Sequence, residues 1–157
     1  MYRKVLIPLD GSELAECALP HIKSLAKEGC AGEVILLRII ETRLPFAYTG
    51  ADDFEIGQSY DFEALWDDEL ARSQKYLAGV HGQLKAEGIV IRTEAVKGLK
   101  AAEVIVDYAR KNGIDLIIMS THGYTGMKKL MLGSVAFRVL HESPVPVLLI
   151  RPESCRS

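Results

Sequence analysis

The sequence is poor in the features that mark secreted, membrane-spanning or metal-built proteins. Cysteine occurs only three times in 157 residues, at Cys17, Cys30 and Cys155. There is no CxxC pair and no histidine at metal-ligand spacing, which argues against a zinc framework; the odd count fits a reducing compartment. All three read as small apolar or tail positions, since none has an electropositive partner in the sequence. No apolar run approaches the ~20 residues needed to cross a bilayer. Met1-Tyr2-Arg3-Lys4 leads only into the short run Val5–Leu9 before Asp10, unlike a signal peptide. An excess of either charge is also missing: 19 Lys+Arg stand against 21 Asp+Glu, a formal charge of −2. A general nucleic-acid binder would carry a basic excess. The expectation is a soluble, cytoplasmic, single-domain protein with neither nucleic acid nor membrane as partner.

What is present is a core-forming pattern, with 48% of residues hydrophobic. Val5–Leu9 is an almost wholly apolar run, the mark of a strand buried on both faces. Asp10-Gly11-Ser12 breaks it, and Ser12 is placed to cap a helix running from Glu13 to Lys27. Pro20 falls inside that helix, where it removes a hydrogen bond and should kink or divide it. Glu33–Ile40 reads as a second buried strand. Residues 42–62 show no periodicity, a length that suggests a lid, a binding loop or an excursion without a role. A helical pattern then occupies 63–87. Ile89–Val96 alternates in part and so belongs near a sheet edge. A helix from Ala101 closes at Asn112-Gly113, Asp115–Met119 is a fourth strand, Ser134–Glu142 a short helix, and Ser143–Ile150 a last strand. Pro146 cannot donate to a ladder and puts that last strand at an edge. Strands alternating with helices predict a doubly wound parallel α/β sheet with helices on both faces. Residues 1–152 form the domain and 153–157 a tail.

Folds of this class bind ligands beyond the carboxyl ends of their strands, where strand order reverses. Two segments qualify. Pro8-Leu9-Asp10-Gly11-Ser12 leaves the first strand, and its carboxylate can serve a ribose hydroxyl or an amine, hold a metal through a water, or simply close the turn or cap the helix. Met119-Ser120-Thr121-His122-Gly123 leaves the fourth and continues to Leu132-Gly133-Ser134-Val135, where the start of a helix suits a phosphate. From Leu116 through His141 there is no Asp or Glu, while Lys128, Lys129 and Arg138 are present, so the segment reads as receptive to anions. His122 has no orienting carboxylate or nucleophile beside it in the sequence and reads as a support of its loop.

These residues resemble the universal stress protein family. The resemblance rests on Val5-Leu6-Ile7-Pro8-Leu9-Asp10-Gly11-Ser12, Val34–Ile40, Gly98, His122, the spacing Ser120-x2-Gly123-x9-Gly133-Ser134 and the ending Pro144–Ile150. It implies a five-stranded parallel sheet in the order 3-2-1-4-5 and a homodimer paired through the last strand, Val145–Ile150. It also implies bound ATP, with Mg2+ carried on the phosphates and no metal ligand in the chain. By that resemblance Asp10 would approach the ribose or adenine end, with Pro8 beside the base. Ile39 would contact the adenine and Met119 would pack nearby. Ser120, Gly123, Gly133, Ser134 and the Val135 amide would surround ribose and phosphates. The family's nucleotide-binding branch has Gly-x2-Gly-x9-Gly-(Ser/Thr), so Ser120 departs from it at the first position. There is no GxxxxGK[ST] and no G-x-S-x-G, so the expectation is a nucleotide-holding sensor or regulator rather than an enzyme. The alternative is a dimeric interaction module of the same fold, with Ser120 marking a closed pocket.

Overall fold

The computed structural model describes residues 1–42, 62–122 and 132–152. Five strands form one parallel sheet: β1 (Tyr2–Pro8), β2 (Ala31–Glu41), β3 (Val90–Gly98), β4 (Leu116–Ser120) and β5 (Val147–Ile150). Their order is β3-β2-β1-β4-β5. The helices are α1 (Glu13–Glu16), α2 (Leu19–Lys27), α3 (Phe62–Lys85), α4 (Ala101–Lys111) and α5 (Ser134–Glu142). Parallel neighbours need crossovers, and the sheet has one cluster of apolar side chains on each face. Val5, Ile7, Leu9, Val34 and Leu36 pack with Ile22 of α2 and Leu77, Val80 and Leu84 of α3. Leu6, Ile35, Leu37, Ile117 and Met119 pack with Ile105 of α4 and Val139 of α5. The first two crossovers thus run over one face and the return to β4 over the other. This puts the switch point between β1 and β4.

Local chemistry explains the boundaries. Ser12 caps α1 by accepting the Ala15 amide at 3.1 Å. The expected helix 13–27 is divided: α1 ends at Glu16, Cys17 and Ala18 intervene, and Pro20 lies in the first turn of α2, where a missing amide costs nothing. β3, half exposed along its length, is one edge. β5, the other, is shorter than the expected 143–150. Ser143 Oγ donates to Val145 O at 2.7 Å and accepts from Val145 N at 3.2 Å, folding 143–145 into a turn before the strand begins. At the opposite end of the sheet Asp115 accepts the Arg3 and Lys4 amides at 2.8 and 3.0 Å, tying the start of β1 to β4. Most of 42–62, the tail 153–157 with Cys155, and Gly123, Lys128 and Lys129 lie outside the described residues.

Candidate nucleotide site at the strand tips

A crevice begins with a ladder that stops early. β1 and β2 stay paired through Pro8↔Leu37, and Leu9 N donates to Leu37 O at 2.8 Å. β1 and β4 pair at Val5↔Leu116 and Leu6↔Ile117, short of the ends of both strands. Alternate residues of a strand face alternate neighbours. Since Leu9 faces β2, residue 8 faces β4, and a proline there has no N–H to offer. Pro8 therefore leaves the tips of β1 and β4 without a bridging bond at the switch point.

The floor of this opening is apolar. Strand alternation puts Pro8 on the face of Leu6, Ile39 on that of Ile35 and Leu37, and Met119 on that of Ile117. This is the face covered by α4 and α5. Ile39 is half-buried and Met119 is buried. Gly98 lets the Val104 side chain close over β3, with Ile39 Cγ2 4.0 Å from the position a Cβ would take. The three candidate base-contacting residues thus lie on neighbouring strands and one side of the sheet.

Two polar turns flank the floor. In the first, Gly11 has φ +87°, a conformation that favours glycine. Asp10 Oδ1 accepts the Ser12 amide at 2.9 Å and the Ser12 hydroxyl at 2.6 Å. The carboxylate closes its turn while remaining exposed, so the turn-forming and ligand-facing readings of Asp10 are compatible. In the second, the buried Ser120 accepts the His122 amide on its Oγ at 3.3 Å. The hydroxyl that departs from the family motif is thus engaged by its own strand exit. Thr121 Oγ1 and His122 Nδ1 are 2.9 Å apart, giving the imidazole the supporting bond expected of it. Its Nε2 is buried without a hydrogen-bond partner among the described residues.

Gly133 joins this turn to α5. Its amide donates to Thr121 O at 2.9 Å, and a Cβ on it would lie 3.0 Å from that oxygen. Its φ is −59°, so close approach, not backbone handedness, is what calls for glycine. Gly133, the N-cap residue of α5, has no side chain with which to cap the helix. The amides of Ser134, Val135 and Ala136 begin the helix, where the macrodipole is positive. The candidates Ser120, Gly133, Ser134 and Val135 are therefore brought together, while Gly123 lies outside the described residues. One expectation needs correction. Arg138 does not add free positive charge, because its Nη2 is 3.2 Å from Glu103 and its Nε 2.9 Å from Glu142. The glutamates hold the guanidinium in its protonated form, raising its pKa. Sequence reasoning also passed over Thr121, Glu41 and Arg38. The last carried a signal, a lone cation inside the apolar run Val34–Ile40.

The all-parallel doubly wound sheet, with its switch point between β1 and β4, defines the class of this α/β fold. The model of the Usp, or universal stress protein, family matches residues 1–151. Two universal stress proteins of Methanocaldococcus jannaschii are similar. MJ0531 is 34% identical over 151 residues, covering 96% of this chain and 83% of its own. MJ0577 is 34% identical over 161 residues, covering 96% of each. The solved structure of MJ0577 superposes with a TM-score of 0.79 at 35% identity over 97% of both chains. A universal stress protein in complex with cAMP has a TM-score of 0.65 at 19% identity, over 96% of this chain and 97% of its own. A family member from Arabidopsis thaliana with AMP bound has 0.66 at 13%, over 99% of both. These last two show the fold. The chain belongs to the universal stress protein family.

Proposed function

We propose that this protein holds an adenine nucleotide, ATP with Mg2+, in the opening between β1 and β4, and works as a sensor or regulator with hydrolysis absent or very slow. One observation carries the reading: a Cβ on Gly133 would lie 3.0 Å from Thr121 O, at the start of a helix whose N-cap residue has no side chain, on the same face as the floor of Pro8, Ile39 and Met119. An adenine would lie on that floor. Asp10 would accept from the ribose or adenine end. Phosphates would take the amides of Ser134 and Val135, with Ser120 and Gly123 beside them. The lone His122 Nε2 suits the same reading, since a buried ring nitrogen near a ligand can gain a partner from it. Relatives of this fold that hold AMP and cAMP support the adenylate class. Among the described residues no cluster of three His, Cys, Asp or Glu is arranged to hold a metal, so the cation would ride on the phosphates. No residue is assigned a catalytic role.

The proposal includes a homodimer through β5. Edge strands with outward apolar groups are normally covered, and Leu148 on β5 is 39% exposed, on the sheet face of Ile150, while Phe137 and Leu140 are exposed on α5. A thermal-shift titration with ATP, ADP, AMP and cAMP, with and without Mg2+, tests the nucleotide reading. A ligand that binds only the folded state raises the melting temperature. The expected order puts Mg-ATP highest, and no shift with any of the four contradicts the reading.

A further inference from the structure

Arg38 interrupts the apolar run of β2 and points to the face opposite the base floor, where α3 lies. Its Nε donates to Ser73 Oγ at 3.3 Å. Nη2 lies 3.6 Å from Glu69 Oε1, and the guanidinium carbon is 5.5 Å from the Tyr76 ring centroid. All three partners belong to α3. The remaining nitrogen, Nη1, is buried and has no hydrogen-bond partner among the described residues. It packs against Gly11, where a Cβ would collide with it and would lie 3.2 Å from the guanidinium carbon. A buried cationic N–H is costly unless an acceptor meets it, and none of the described residues supplies one. Burial and the Glu16 hydrogen bond push the Tyr76 phenol pKa upward, Asp10 adds to that rise and Arg38 opposes it.

We propose that Arg38 is a positioning residue of the nucleotide site. Clamped by α3, its guanidinium supports the Gly11 backbone and fixes the turn that presents Asp10 to the ligand. This rests on the nucleotide reading above. It makes α3 part of the binding apparatus without contact with the ligand, acting from the far side of the sheet.

The test combines Arg38→Met, Arg38→Lys and Asp10→Asn, alone and in pairs, with two readouts. Calorimetry with Mg-ATP, well below the melting temperature, should show Arg38→Met weakening affinity about tenfold. In the Asp10→Asn background that loss should vanish, since a group acting through Asp10 has nothing left to position. Arg38→Lys, which keeps the charge and loses the fork, should fall between. In the nucleotide-free protein, exchange of the Ser12 amide should speed up in Arg38→Met while that of Ile22 stays unchanged. Additive affinity losses, or an unaltered Ser12 rate, would overturn the proposal. If the wild type takes up no ATP, the nucleotide reading fails by itself and the Ser12 rate alone decides the role of Arg38. If Arg38→Met does not fold, Arg38→Lys carries the same comparison.

Discussion

Two helices begin on the same face at the carboxyl edge of the sheet, and the chain treats their first turns differently. At α4 it supplies its own anion: Glu41, at the end of β2, accepts the Ala101 amide on Oε1 at 3.2 Å, and Val104 fills the space above Gly98. At α5 no such carboxylate is bound among the described residues, and the N-cap is Gly133, which has no side chain to offer the first turn. Both starts carry the same backbone dipole. What separates them is whether a carboxylate of the chain already occupies the place where an anion is favoured. One helix start is sealed by a carboxylate, and at the other no described side chain takes that place.

That contrast can be broken from the α5 side with the largest expected effect. Gly133→Val forces carbon into the space beside Thr121 O and into the phosphate position. Mg-ATP affinity should fall at least about a hundredfold, with circular dichroism unchanged, since one lost phosphate cradle removes several charge-assisted bonds. Undiminished affinity in calorimetry would show that the open start is not the site. Next comes Asp10→Asn, with about tenfold weaker binding and a loss of about 1 kcal/mol of stability from the weakened turn, read from paired titration and denaturant curves. Leu148→Glu should shift sedimentation from dimer to monomer while leaving each protomer folded. A wild type already monomeric at high concentration would rule out the β5 interface. The smallest effect sharpens the comparison from the α4 side. Glu41→Gln should lower stability by about 0.5 kcal/mol and leave nucleotide affinity where it was, because the sealed start has no part in binding.

Much of this was legible before any coordinates. Val5–Leu9 and Leu116–Met119 are apolar without alternation because both strands are buried on both faces. Ile89–Val96 alternates because it borders solvent. Pro20 divides a helix and Pro146 precedes an edge strand for the same reason, a missing amide. The strand ends were harder to place. Ala31-Gly32-Glu33 pairs with β1 through backbone atoms that leave no trace in hydrophobic pattern, and Ser143 turns the chain where alternation suggested a strand. At the candidate site, Gly133 and the turn closed by Asp10 were readable because each demands a residue type. The charge reading at Arg138 failed because Glu103, distant in sequence, lies on the neighbouring helix. The support from Arg38 was invisible for a similar reason: its partners Glu69, Ser73 and Tyr76 come from a helix some thirty residues on.

A crystal structure of the protein grown with Mg-ATP tests the central claim most directly. The base should lie against Ile39 and Met119, and the phosphates should lie over the amides of Ser134 and Val135. Side chains packed into the space between the tips of β1 and β4, or a nucleotide bound elsewhere on the molecule, would contradict the account.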